Sequence, residues 1–254
     1  MTARDPGADG AASASGAEAT IHPAGARVTL PRTSQAFTPD VRAPRRIAVE
    51  GPIGVGKTSL ARRLAATFAL DLVLEPSFDN PYLERFYRQG QGFALQTQLY
   101  FLLKRRELLR HLAVPETFRA GWVCDFVLEK DALFAALTLA DDDLALYRQL
   151  LALVAADFEP PDLVIYLQAS PAVLAERVKQ RGLAPEQRIT PDYLQRLCAA
   201  YTQLFHFYDQ SRVLIVNAGS ADLVHDGPQY EQLVQRILNT QGPREYYNPQ
   251  PDTP

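Results

Sequence analysis

The stretch IAVEGPIGVGKTSLARRL, Ile47 to Leu64, constrains the fold more than any other part of the 254-residue chain. An apolar run ending in Glu50 gives way to Gly51-Pro-Ile-Gly-Val-Gly-Lys57-Thr58, which fits G-x-x-x-x-G-K-[ST] in full. The run predicts a strand over Ile47–Glu50, and the residues after the turn predict a helix over Thr58–Phe68. That context separates the motif from a chance glycine-rich turn. The glycines let the backbone curl so that successive N–H groups converge, and with the helix N-terminus they form an anion site. Gly51, Gly54, Val55, Gly56, Lys57, Thr58 and Ser59 are the candidate cradle for the phosphates of a nucleoside triphosphate. Lys57 reaches the β- and γ-phosphates, and the Thr58 hydroxyl is placed to hold Mg²⁺.

Four more apolar runs predict strands at Leu72–Leu74, Trp122–Cys124, Leu163–Leu167 and Val213–Val216. Helical patterns lie between and after them, at Phe93–Leu112, Ala132–Phe158, Ala172–Arg181, Pro191–Asp209 and Tyr230–Asn239. Nearly continuous apolar strands are covered on both faces. Their alternation with helices predicts an α/β fold, a five-stranded parallel sheet between helix layers. Leu95, Leu99 and Leu102 form an apolar stripe on the second helix, and Ser170-Pro171 reads as a capped helix start. Residues 1–44 are rich in small residues and proline and poor in large apolar ones, which predicts a disordered arm. Residues 45–241 form the expected domain, and the Pro-rich tail 242–254 is expected to be irregular.

Function classes narrow further. There is no secretory layout and no apolar run near the ~20 residues of a membrane span, so a cytoplasmic protein without membrane partners is expected. A net charge of −3 gives no bulk attraction to nucleic acid. Cys124 and Cys198 lack disulfide or metal spacing and read as buried free thiols.

Ligands of such sheets bind beyond the carboxyl ends of the strands. The second strand leads into Glu75-Pro76, a carboxylate able to serve as general base or simply a solvated glutamate in a turn. The third leads into Asp125, either a carboxylate on the Mg²⁺ side or a helix cap. Gln96, Tyr100 and Lys104 recur at i, i+4 and i+8, away from the leucine stripe. A carboxamide there can read a base edge through two hydrogen bonds, or face solvent. Arg177 and Arg181 share a helix face ahead of a Gly/Pro-containing loop ending at Arg188. They suit a lid that closes on phosphates, or a solvated face.

Taken together, these segments resemble the deoxyribonucleoside kinase family over most of 46–217. Four stretches carry the likeness: VEGPIGVGKTS at 49–59, LEP at 74–76 with DNPYLERFY at 79–87, FALQTQLYFL at 93–102, and RVKQRGLAPEQRI at 177–189 followed by Tyr193-Leu194. The DNPY stretch looks most like bacterial deoxyadenosine and deoxyguanosine kinases. The resemblance implies a P-loop kinase fold with an arginine-bearing lid, and a homodimer. It also implies roles: Glu75 as base toward the sugar 5′-hydroxyl, Gln96 on the base, Tyr87 and Glu186 on the 3′-hydroxyl, and Arg177 and Arg181 on the phosphates. It breaks at Cys124-Asp125-Phe126, where most members carry Asp/Glu-Arg-Ser, and at Leu183, where a lid arginine is common. Asp125 then stands either for the family's acid or, offset by one, where the arginine usually is. Lys104, Arg105 and Lys130 are candidates for the missing positive charge.

The resulting expectation is transfer of the ATP γ-phosphoryl group, with Mg²⁺, to the 5′-hydroxyl of a small-molecule deoxyribonucleoside, purines first. Lys57, Glu75, Arg177 and Arg181 are the expected catalytic residues, with Thr58 and Asp125 on the metal. A nucleoside monophosphate kinase and a non-catalytic nucleotide-binding subunit of the same fold are the rivals.

Overall fold

A computed structural model describes residues 20–21, 28–29 and 44–249, apart from 77–78, 113–120, 156–158 and 225. The disordered arm expected over 1–44 therefore lies almost wholly outside the described residues. Within it, Thr20–Ile21 and Val28–Thr29 form a short antiparallel pair.

The main sheet contains β1 (Arg46–Glu50), β2 (Asp71–Val73), β3 (Trp122–Cys124), β4 (Leu163–Gln168), β5 (Arg212–Asn217) and β6 (Arg244–Tyr247). All pairings are parallel, in the order β2-β3-β1-β4-β5-β6. The helices are α1 (Lys57–Phe68), α2 (Leu83–Gln89), α3 (Ala94–Leu112), α4 (Lys130–Thr138), α5 (Asp141–Ala155), α6 (Pro171–Arg181), α7 (Pro191–Phe207) and α8 (Gly227–Asn239).

Strand alternation splits the apolar residues between two cores. Ile47, Val49, Val123, Ile165, Leu214 and Val216 face Leu60 and Leu64 of α1, Leu174 of α6, and Leu233 and Ile237 of α8. Ala48, Cys124, Val164, Tyr166, Val213 and Ile215 face α3, α4, α5 and α7. Leu102 of the leucine stripe is buried in this second core, with Leu95 and Leu99 packed against it. Both cysteines are free, Cys124 buried and Cys198 half-buried. Ser170 caps α6 through its hydroxyl, which accepts from the Val173 N–H at 3.4 Å, with Pro171 at the first helical position. No helix among the described residues is long and apolar enough to cross a membrane.

The structure corrects the expectation in three places. The helix expected over Ala132–Phe158 is two helices, because Leu139 adopts an extended conformation (φ −95°, ψ 145°) and Asp141, Asp142 and Asp143 open a new first turn, where acids favour a start; residues 156–158 lie outside the described residues. Leu83–Gln89, expected only as a motif, is helical. The tail expected to be irregular supplies a sixth strand, β6, to the five expected. Its sequence Arg-Glu-Tyr-Tyr carries no strand pattern; it is fixed by a clamp at Glu245. Oε1 of Glu245 accepts the N–H groups of Gln241 (2.9 Å) and Gly242 (2.7 Å), and Oε2 pairs with Arg236 on α8 at 2.8 Å.

Burial alone would push the Glu245 carboxyl up, but the Gly242 and Gln241 N–H groups and the Arg236 charge outweigh it and hold it below its ordinary 4.5. A depressed carboxylate stabilises the fold above its unfolded pKa and loses that contribution as pH falls through its folded one. Glu245→Ala is expected to cost about 1–2 kcal/mol at pH 7, a fall in Tm of roughly 2–8 °C. In thermal melts the gap between parent and variant should narrow as pH drops below 4.5; a gap that widens there contradicts the clamp.

Candidate active site

The phosphate loop joins β1 to α1. Gly51 (φ +150°) passes so close to β4 that a Cβ would lie 2.5 Å from the Leu167 carbonyl oxygen. Gly54 (φ +82°) lies against α6, where a Cβ would meet Val178 at 2.9 Å. The turn is thus wedged between strand and lid helix and admits no side chain at either position. Gly56 is the N-cap of α1 with no capping side chain, so the first N–H groups of the helix remain available to an anion. Val55 is buried and contributes backbone only, whereas the hydroxyl-bearing Thr58 and Ser59 are exposed. Nζ of Lys57 donates to the Gly51 (2.7 Å) and Pro52 (3.1 Å) carbonyls. Burial lowers its pKa, opposed first by the Glu50 charge.

Asp125, directly after β3, links the two halves of the site. Its Oδ2 accepts the Thr58 hydroxyl at 2.5 Å, and its Oδ1 accepts the Glu75 backbone N–H at 2.8 Å. A hydroxyl and a carboxylate beside a phosphate cradle are hard-oxygen donors that fit Mg²⁺, which is typically held by one or two carboxylates together with substrate phosphates.

Glu75 follows β2 and is nearly buried. Its Oε1 lies 2.5 Å from Nε of Arg105 (α3), and its Oε2 accepts from Nζ of Lys130 (α4) at 2.9 Å. Burial alone would raise this carboxyl, but the Arg105 and Lys130 charges prevail and hold it at about 2. Two of the three candidate cations therefore stand on Glu75. The third, Lys104, pairs at 2.9 Å with Glu107 on the outer side of α3.

Beyond Arg105 lies Asp131 of α4, which is fully buried. Its Oδ1 accepts from Arg105 and, at 2.8 Å, from the Tyr147 hydroxyl, while its Oδ2 has no hydrogen-bond partner. Burial pushes the Asp131 carboxyl up, and Arg105 opposes the rise. Gln98 precedes Arg105 by seven residues on the same helix face. It is buried and donates from Nε2 to the Thr138 hydroxyl at 3.2 Å. Gln96 lies on the exposed side of α3.

The lid residues fall into two groups. Glu186 is buried and paired through both oxygens with Arg181. Tyr87 of α2 is half-buried beside them; burial raises its hydroxyl pKa, with Tyr193 and Glu186 adding to the rise. Tyr87, Arg181 and Glu186 are thus brought together. Arg177 points elsewhere, donating to the carbonyls of Ala218 (2.8 Å) and Gly219 (3.4 Å) after β5.

Sequence reasoning missed Glu50, Gln98 and Asp131. The i, i+7 spacing of Gln98 and Arg105, and the Glu-Lys-Asp charges at 129–131 inside an apolar run, were the signals available.

Comparisons with known proteins identify the family. A family profile described as deoxynucleoside kinase matches residues 47–241. Deoxyguanosine kinase of Bacillus subtilis is 32% identical over 197 residues, covering 75% of this chain and 95% of the relative. Deoxyadenosine kinase of Dictyostelium discoideum is also 32% identical over 197 residues, covering 75% and 77%. A solved structure of M. mycoides deoxyadenosine kinase with bound dATP superposes with a TM-score of 0.66 at 24% identity, covering 76% of this chain and 99% of that one. On the matched length and the identity of these relatives, the chain belongs to the deoxynucleoside kinase family.

Proposed function

We propose that the protein transfers the γ-phosphoryl group of ATP to the 5′-hydroxyl of purine deoxyribonucleosides, with Mg²⁺. One observation carries the reading: Thr58, Asp125 and Glu75 are joined by consecutive hydrogen bonds, tying the donor's phosphate cradle to the acceptor's carboxylate. Phosphoryl transfer needs positioning and charge stabilisation more than covalent chemistry. The loop N–H groups and Lys57 hold the polyphosphate. Thr58 and Asp125 would hold Mg²⁺, which would supply charge neutralisation for the transferring phosphate. Glu75, held ionised, accepts a hydrogen bond from the 5′-hydroxyl and aims it. It receives the proton late, once bonding to phosphorus has made that oxygen acidic. Tyr87 and Glu186 address the 3′-hydroxyl. Arg181 is the lid cation near the acceptor, and Arg177 serves the donor from the β5 side.

In this reading the base is met by Gln98 rather than Gln96. Gln98 is buried on the Arg105 face, and the free Oδ2 of Asp131 on that side calls for an N–H donor, which a purine edge supplies. The named activities of the deoxyguanosine and deoxyadenosine kinase relatives support purines. A monophosphate acceptor finds less support, because Arg105 and Lys130 are already engaged by carboxylates. The exposed Leu103, Leu146 and Leu153 on α3 and α5 support a homodimer. A cytoplasmic setting, where ATP and free nucleosides meet, completes the reading.

A panel of nucleosides and nucleoside monophosphates with ATP and Mg²⁺ tests it. Deoxyadenosine or deoxyguanosine should be phosphorylated, monophosphates should not, and a chelator should abolish turnover. Glu75→Gln should lower kcat on the order of 10²–10⁴-fold, with nucleoside still bound in calorimetry. Near-parental turnover removes Glu75 from its role. Gln98→Ala should raise the nucleoside KM by about tenfold or more while Gln96→Ala leaves it within about twofold; the reverse pattern returns the base contact to Gln96.

A further inference from the structure

Behind the phosphate loop lies a carboxylate that no step above uses. Glu50 closes β1 and is completely buried. Its Oε1 accepts the Gly51 N–H at 2.9 Å and the Tyr201 hydroxyl at 3.0 Å. Its Oε2 accepts the Val127 N–H at 3.0 Å and lies 3.6 Å from Nζ of Lys130. These four partners come from the first residue of the loop, from α7, from the segment after β3 and from α4. Tyr201 is itself held by aromatic packing: its ring lies 6.2 Å from Tyr166 and 6.4 Å from Phe205, which stack on each other at 4.4 Å.

The Lys130 ammonium beside Glu50 is the one that holds Glu75 at 2.9 Å. A path of two ionic contacts therefore runs from the loop amide through Glu50 and Lys130 to the acceptor carboxylate. The front of the site has its own tie, from Thr58 through Asp125 to the Glu75 N–H. Donor and acceptor are fastened to each other at both ends. A buried charge is a costly way to fill space, since an apolar side chain would pack as well without desolvation. It is well suited to fixing a distance, because its oxygens accept only where donors converge.

We propose that Glu50 is a positioning residue for phosphoryl transfer: acting through Gly51 and Lys130, it sets the separation between the phosphate loop and Glu75 without touching either substrate. The inference rests on the kinase reading above. Transfer requires the reacting atoms in line at near-contact distance, so a loosened separation lowers turnover and leaves the nucleoside pocket at Gln98, Asp131 and Tyr87 intact.

The test combines Glu50→Gln, which keeps the shape and removes the charge, with Tyr201→Phe, which removes one bond and leaves the carboxylate. The kcat with deoxyadenosine and deoxyguanosine is measured together with nucleoside Kd by calorimetry. Glu50→Gln should lower kcat by about tenfold or more with Kd within about twofold, and Tyr201→Phe should lower kcat by a smaller factor with Kd equally unmoved. Lys130→Met should cost far less turnover in the Glu50→Gln background than in the parent, because the two residues act in one chain. A kcat for Glu50→Gln within about twofold of the parent, a matching loss in Kd, or full additivity with Lys130→Met overturns the proposal. Where Glu50→Gln does not fold, Tyr201→Phe decides: parental kcat there overturns it too. A parent that phosphorylates no nucleoside overturns the kinase reading and this one with it, whereas an active parent with an indifferent Glu50→Gln overturns this one alone.

Discussion

Five side chains of alternating charge, Glu50, Lys130, Glu75, Arg105 and Asp131, run through the middle of the molecule with almost no access to water. Dehydrating so many ions is unfavourable, and the alternation of sign offsets it together with the hydrogen bonds that Glu50 and Asp131 accept. Removing any member strands its neighbours, a loss of roughly 3–5 kcal/mol for a buried pair. The row can exist only if the end of β1, the exit of β2, the inner face of α3 and the first turn of α4 meet at one point. Glu75 inherits its charge from the same row, since two cations hold it at about 2 against the pull of burial.

Around this row the parallel sheet does what its geometry allows. Every strand delivers its carboxyl end to the same edge, so Glu50, Glu75 and Asp125 arrive together although 75 residues separate the first from the last in the chain. The two apolar cores above and below the sheet leave this edge as the place where polar side chains gather without opening a core.

Much of this was legible in the sequence because it is local. The phosphate loop, the capped start of α6 and the apolar strands each declare themselves within a few residues. What stayed hidden depends on contacts between distant segments. The leucine stripe shows which side of α3 faces the core but not which flank meets α4; Gln96 and Gln98 differ in that respect alone, and Arg105 marks the flank only once its partner Asp131 is in place. The interruption at Leu139 lies in a continuous apolar run. A missing Asp/Glu-Arg-Ser triplet reads as a lost arginine, yet Lys130, five residues on from Asp125, puts a cation on Glu75. The tail strand has no pattern of its own and is defined by its neighbour and by Glu245.

That tail strand lies past residue 241, where the family match stops. A version of the protein trimmed to the matched region would keep every residue assigned to the reaction. It would also strip the flank of β5 along Val213–Val216, leaving unpaired backbone amides and carbonyls along a run of four apolar residues. Such a border recruits whatever extended segment it meets, including the same border of another molecule. Residues 244–247 cover that border in the longer chain, so a shortened form would trade a protected sheet edge for an adhesive one.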